Sequence, residues 1–472
     1  MGAFNVIIVG SGLAGPLLAS GLLESGVEVD IYEKLPANAK RDGYQIRVAQ
    51  PCLKAFRENL SMDQCQRIKA KLGHFDTNKE TTPIWYDHRL NTLLHMGRIS
   101  EQFHGSAPMD RVILRNIIME RPLEKGIVHF GKSFSGYEII SDQGRERVRV
   151  SFEDGTSADC DLLIGADGSH SRVREQSSHN ILTRAYGRQI NANLGLNNIQ
   201  PIPVINFICK ARLSKDMLAA LPAPARHAPI LCFSHRKTYF CVAYIPKRTG
   251  NETDPSMDKA DKAVITSDDN EGGTFTFSFL HQKDECPEDI KEWDNASKWK
   301  FLEESISDWD DAFRQVIRVI KSEQLYVFEP RASKRPGLDW RSRAQTPKNP
   351  GIAHPRVWLM GDAMHVMLPN RGMGGNQAML DTTVIGPLVT RLNETAMTQG
   401  ALSTSDIAAA LEIYEQEMIP RAFYWVEASG GTSPVPFDTN TFLGQCRAWS
   451  MKLTLDIRDL WWAILRVVGL RR

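Results

Sequence analysis

Residues 4–9 (Phe-Asn-Val-Ile-Ile-Val) form a nearly unbroken apolar run, the pattern of a strand covered on both faces of a parallel sheet. A helical period follows over 12–25, and 27–33 (Val-Glu-Val-Asp-Ile-Tyr-Glu) reads as a second strand, so the chain opens as a βαβ unit. Helical periods recur over 51–60 and 110–120. From 126 to 166 apolar and polar residues alternate, with turns at Asp142-Gln143-Gly144 and Asp154-Gly155, which predicts strands. Alternation over 202–245 and 274–280 predicts a second sheet, and the polar stretch 247–273 reads as a long surface loop. Residues 356–361 predict one more buried strand. The chain then reads as helical for several turns after Asn376, and again over 405–427.

The tail from Met451 to Leu470 is rich in large apolar residues, Trp461 and Trp462 among them. Lys452, Asp456, Arg458, Asp459 and Arg466 interrupt it, which argues against a membrane span. Apolar residues at 453, 457, 460, 461, 464, 465 and 468 share one broad helical face. The expectation is that this face packs on the protein body. Peripheral contact with a membrane surface through 451–472 is the alternative, and no obligatory anchor is expected.

Composition narrows the classes. With 472 residues the chain exceeds one simple core. A net charge of +1 offers no electrostatic case for nucleic acid. The eight cysteines form no Cys-x-x-Cys pair, so neither a disulfide framework nor a zinc site is suggested, and a reducing, cytoplasmic setting fits. The N-terminus carries no charged leader of the secretory kind.

Three segments carry candidate chemistry. Gly10-Ser11-Gly12-Leu13-Ala14-Gly15 lies between the first strand and the first helix. Gly10 permits a tight turn, Gly12 lets backbone approach a pyrophosphate, and Gly15 lets helix and sheet close up. Glu33, ending the second strand, can accept hydrogen bonds from an adenosine ribose, and an acid there argues against a 2′-phosphate. The bound dinucleotide is then FAD or NAD. The second segment runs from Asp161 through Asp167-Gly168 to Arg174, which could pair with a phosphate. The third runs from Gly361-Asp362 through His365, Pro369, Gly372, Gly374, Gly375 and Asn376 to Asp381. Here Asp362 can accept from hydroxyls, Pro369 stiffens a turn, and the glycines admit backbone N–H groups to a flat ring where a helix begins. Such a helix N-terminus would stabilise negative charge on a reduced ring.

The order and spacing of these segments resemble the FAD-dependent aromatic hydroxylases, the group around para-hydroxybenzoate hydroxylase and the fungal secondary-metabolite monooxygenases. Asp110-Arg111-Val-Ile-Leu-Arg115 and Asp42-Gly43-Tyr-Gln-Ile-Arg47 are weaker matches to the same family. The resemblance places Arg111 and Gly43 beside the flavin, and Asp167 near the pyrophosphate. It implies FAD as cofactor, NADPH or NADH as reductant, and O2 adding at the flavin C4a carbon before one oxygen passes to an aromatic or alkene-bearing substrate. No side chain need act as base or nucleophile in that transfer. Tyr239 and Tyr244 are weak candidates for the substrate pocket, core packing being their commoner use.

The implied fold is an α/β Rossmann-like FAD domain with an inserted β-sheet substrate domain and C-terminal helices. Boundaries follow as 1–75, 101–185 and 330–395 for FAD; 76–100 and 186–329 for substrate; and 396–472 for the helices. A flavin halogenase is disfavoured, because its Gly-x-Trp-x-Trp-x-Ile-Pro stretch is missing. A flavin reductase, a Baeyer–Villiger oxygenase and a non-catalytic flavin-binding protein stay open.

Overall fold

The computed structural model describes residues 4–39, 45–72, 82–95, 98, 106–142, 145–178, 198–244, 271–345, 351–400, 402–430 and 438–467. Gly43 and most of the polar 247–273 stretch lie outside the described residues. The chain divides into two units: 1–69, 110–201 and 331–432 make the first, and 70–109, 202–330 and 433–472 make the second.

The first unit is built on five strands in the order Val357–Leu359, Leu162–Gly165, Asn5–Val9, Glu28–Glu33, Val128–Phe130, paired in parallel throughout. The inner strands are apolar on both faces, and Ile8, Ile31, Leu163 and Ile164 are fully buried. That is why the sequence shows runs here and not alternation. Helix Ala14–Glu24 connects the first two strands of the chain. A three-stranded antiparallel sheet, Phe134–Asp142, Arg145–Phe152 and Ser157–Cys160, accounts for the alternation seen over 126–166.

The second unit holds a seven-stranded sheet. Its order is Leu325–Phe328, Val204–Ser214, Glu271–Gln282, Lys237–Tyr244, Ile230–Ser234, Ile84–Tyr86, Thr92–His95. Helices Asn295–Ser305 and Asp311–Ile320 pack with it around Phe207, Phe277, Trp299, Trp309 and Phe313. Neither helix is among the elements predicted above, although Phe313, Val316, Ile317 and Ile320 carry a helical period and each helix is capped by an aspartate, Asp294 and Asp310 respectively.

The expected C-terminal helical region is present, and its two long helices are divided between the units. Helix Thr404–Ala428 belongs to the first unit and helix Phe442–Val467 to the second. The packing expected of the tail needs correction. Leu453, Ile457, Leu460, Trp461 and Ile464, the predicted packing face, are exposed, whereas Ala448 and Leu455 are buried. Leu455 and Met451 meet Trp85 and Leu94 of the sheet. Arg98 fixes that orientation through Asp456 (2.7 Å) and Asp459 (2.9 Å).

Each unit also contains a buried histidine held neutral. Burial pushes His281 and His354 down to about 4 from the ordinary 6.5. An unfolded histidine takes up its proton below pH 6.5, and these do so only near 4. Stability is therefore expected to fall as pH drops through that window, by about 3 kcal/mol for each group. Thermal unfolding from pH 7 to 4 should show this slope, reduced in a His281→Gln/His354→Gln variant. An unchanged slope would assign the acid sensitivity to other groups.

Candidate functional site

The site is built in the first unit, from the ends of its parallel strands. Strand Asn5–Val9 runs into Gly10, whose φ of +111° is open to glycine alone; a Cβ there would lie 2.5 Å from the Ala166 carbonyl oxygen. Gly15 is equally tight, 2.3 Å from the Gly10 carbonyl oxygen. Gly12 is the opposite case, because a Cβ there would meet nothing within 4 Å. Helix Ala14–Glu24 begins just beyond, and its N-cap, Leu13, supplies no side-chain hydrogen bond. Free N–H groups at an uncapped helix start, beside open space, suit an anion.

Glu33 is tied to the glycine loop within the protein. It is buried, and its carboxylate accepts from Ser11 N (2.9 Å), Ser11 Oγ (2.7 Å) and Leu35 N (3.0 Å). Arg115, buried on helix Arg111–Glu124, closes the same network by donating to Ser11 O (2.7 Å) and Ser11 Oγ (2.9 Å). Most of the acid's capacity thus shapes the glycine loop. Ser11 and Arg115 were not singled out from the sequence. A charged residue on the inward stripe of an apolar helix was the available signal for Arg115.

Asp167 follows strand Leu162–Gly165. Its Oδ2 accepts from Arg172 N (2.8 Å), and its Oδ1 is buried with no partner among the described residues. Burial raises its pKa. Gly168 beside it (φ +80°) also faces open space. Arg174 is not placed as a phosphate ligand. It is buried and donates to Ala363 O (3.1 Å) and Ser169 O (3.0 Å), which ties the second segment to the third.

In the third segment Asp362 is solvent-accessible, yet no donor among the described residues bonds its carboxylate. The surrounding protein still raises its pKa by desolvation, partly offset by His365 and Arg111. Asp362 is therefore an accessible carboxylate in surroundings that disfavour its charge. Arg111, at the start of its helix, is near enough to act on that charge. Pro369–Arg371 form one 3-10 turn, and Gly372 follows in the left-handed region (φ 63°), packed against the Arg47 side chain. Burial lowers the Arg47 guanidinium to about 9. The helix then begins at Gly374, again with no side-chain cap, and Gly375 faces open space.

Asn376 was expected on the cofactor, but its amide is consumed by protein. Its Oδ1 accepts from Ala49 N and Cys52 Sγ (both 2.9 Å), and its Nδ2 donates to Arg47 O (2.6 Å) and Gly372 O (2.8 Å). All four bonds of the group are made, so it staples the glycine turn to the 45–59 segment. Below this floor Asp381 is fully buried and accepts from Gly361 N (2.8 Å), His365 Nε2 (2.9 Å) and Arg421 Nη2 (2.8 Å). Burial alone would raise its pKa, but His365 and Arg421 hold it below the usual carboxylate range. Tyr239 is a core residue of the second unit, fully buried, with its hydroxyl donating to Phe313 O (3.2 Å). Tyr244 ends the same strand opposite Thr274.

These features fit FAD: two uncapped helix starts beside open glycines, an unpartnered Asp167 oxygen, and an accessible Asp362 that no described donor engages. Among the described residues no cluster could hold a metal ion.

Known proteins agree. The family described as "FAD binding domain" matches residues 3–203 and 329–411. Salicylate hydroxylase of Pseudomonas putida is 25% identical over 422 residues, covering 88% of this chain and 82% of its own. A dual O-methyltransferase/FAD-dependent monooxygenase of Phaeosphaeria nodorum is 23% identical over 93% of this chain, which spans 46% of that longer protein. Among solved structures, Klebsiella pneumoniae HpxO complexed with FAD and uric acid superposes with a TM-score of 0.63 at 20% identity, covering 95% of this chain and 92% of that one. With the matched residues containing all three glycine-acid segments, the chain belongs to the FAD-binding-domain family and is an FAD-dependent monooxygenase.

Proposed function

We propose that this protein uses NADPH or NADH and O2 to hydroxylate or epoxidise a small, electron-rich aromatic or alkene-bearing substrate, in the manner expected of secondary metabolism. The carrying observation is the joint placement of Asp167, Asp362 and the open Gly12 and Gly375 backbones in one unit. A relative named for salicylate, and a neighbour bound to uric acid, support a planar, electron-rich substrate class.

FAD, when bound, supplies the electron transfer and oxygen activation that no side chain can. The residues present it. The N–H groups beyond Gly12 meet the negative charge of the pyrophosphate. Asp167 and Asp362 accept from hydroxyl donors with charge-assisted bonds. The backbone at Gly374 and Gly375 would hold the ring end and favour negative charge on it. Substrate recognition is assigned to the seven-stranded unit. With Tyr239 spent on the core, no protein base is assigned to the substrate.

The test is NAD(P)H consumption by the yellow holoenzyme against aromatic polyketides, indoles, prenylated phenols and salicylate, under isotopically labelled dioxygen. The expected result is substrate-stimulated oxidation of NAD(P)H with one labelled oxygen in the product. Oxidation indifferent to every substrate, yielding only hydrogen peroxide, would favour a reductase. Oxygen inserted beside a carbonyl would favour a Baeyer–Villiger enzyme.

A further inference from the structure

Helix Phe442–Val467 of the second unit is 26 residues long, about 39 Å at the α-helical rise. It docks by one narrow side. Thr439 N and Oγ1 donate to Phe233 O (3.0 and 2.6 Å), and Asp438 accepts from His235 N and Arg236 N (3.0 Å each), which pins the approach to the helix. Ala448, Met451 and Leu455 then face the sheet, where Trp85 and Leu94 receive Leu455 and Met451.

The far side of this helix is apolar and uncovered. Phe442, Trp449, Leu453, Ile457, Leu460 and Ile464 are all exposed, Phe442 at 84% and Trp449 at 67%. At the α-helical turn per residue they fall within about 80° of one another. With Leu443 and Trp461, this one helix carries 8 of the 17 exposed large hydrophobic side chains found among the described residues. A continuous stripe of that kind marks an interaction surface, whereas scattered exposed residues do not.

Charge identifies the occupant. Residues 442–472 contain six basic side chains, Arg447, Lys452, Arg458, Arg466, Arg471 and Arg472, and two acids, Asp456 and Asp459. Both acids are engaged by Arg98, and Asp459 also by Arg458 (2.8 Å). By helical position Arg447 and Lys452 flank the stripe on its two sides, each about 110° from its centre, where long basic chains can reach outward while the stripe is immersed. Two copies meeting stripe to stripe would bring like charges together. No described helix is long and apolar enough to cross a membrane, and this one is held along its length by its opposite side.

We propose that helix Phe442–Val467 is a monotopic surface for an anionic lipid bilayer, lying in the plane of the interface with Trp449 and Trp461 inserted beside the aliphatic residues. Apolar insertion plus attraction of basic residues to anionic headgroups is the combination that makes such a helix bind. Flavin binding is addressed elsewhere in the chain, so this inference stands apart from the reading of the redox site.

The experiment is flotation of the full-length holoenzyme with phosphatidylcholine vesicles, with or without phosphatidylserine. Binding is expected with phosphatidylserine, weaker without it, and reduced by salt. An Ile457→Glu/Leu460→Glu variant should lose at least tenfold in binding, while its flavin spectrum and unfolding temperature stay unchanged. Arg447→Glu/Lys452→Glu should lose it only on anionic vesicles, about fivefold or more per charge removed. Light scattering of the vesicle-free protein completes the test. A dimer broken by Ile457→Glu/Leu460→Glu, with no vesicle binding, would overturn the proposal in favour of a second copy. A monomer that ignores every vesicle would overturn it outright.

Discussion

Asp362→Ala is expected to weaken FAD binding by about 100-fold and to leave the apoprotein folded. The two effects separate because of how this carboxylate is placed. It is solvent-accessible, it accepts no hydrogen bond from the described residues, and its surroundings already disfavour its charge. Removing it therefore costs the fold little. The loss falls on the ligand, since hydrogen bonds to a charged group contribute about 1.5–3 kcal/mol each and Asp362 can accept two. Asp362→Asn keeps an acceptor without the charge, and should fall between, near tenfold. Titration of apoprotein with FAD, followed by flavin fluorescence, reads both variants. Full flavin occupancy and normal affinity in Asp362→Ala would remove the 361–375 segment from the site.

Asp381→Ala should do the reverse, and unfold the first unit before any ligand is considered. Asp381 is wholly buried and satisfies three donors, Gly361 N, His365 Nε2 and Arg421 Nη2. Arg421 keeps Glu417 as a partner, at 2.7 Å, so its charge is not left alone. Even so, removing one member of a buried ionic network typically costs about 3–5 kcal/mol. Asp381→Asn preserves the shape and one acceptor and should cost less. The pH dependence has a definite sign. The folded carboxyl titrates below its ordinary value, so its contribution is complete above about pH 4 and fades as pH falls through the folded value. Denaturant unfolding at pH 7 and pH 3 tests this. Equal stability of wild type and Asp381→Ala at neutral pH would show that the network is replaceable.

The redox half of this protein was legible because its chemistry is written in local backbone requirements. Gly10 and Gly15 sit where a Cβ would strike a carbonyl oxygen, and Gly12 and Gly375 where the space is open. Such constraints act within a few residues and leave a spacing in the chain. The apolar runs of the parallel strands and the alternation over 126–166 are local in the same sense. Residues whose roles depend on partners far along the chain were read less well. Asn376 is used up by Arg47, Ala49 and Cys52, more than 320 positions away. Arg174 binds Ala363, and Glu33 and Arg115 converge on Ser11. A sequence shows that such a side chain can donate or accept, but not which partner reaches it first.

The tail and the substrate unit divide on the same line. Periodicity established that the tail from about Met451 carries a broad apolar face, because helical phase is intrinsic to the chain, and the structure begins that helix earlier, at Phe442. Which side meets the sheet was decided by Arg98 holding Asp456 and Asp459 and by Trp85 and Leu94 receiving Leu455, all contacts of the folded state. Tyr239 is the matching case in a strand. Alternation put it on one face of the sheet, and only the packing of Phe277, Trp309 and Phe313 around it made that face the core. By itself the sequence determined the parallel and alternating strands, the apolar faces of the helices it marked and the glycine spacing of the candidate site, since these follow from local conformation. The tertiary structure alone decided which faces are covered and which polar groups remain free for a ligand, since burial and pairing depend on what distant segments bring to the same place.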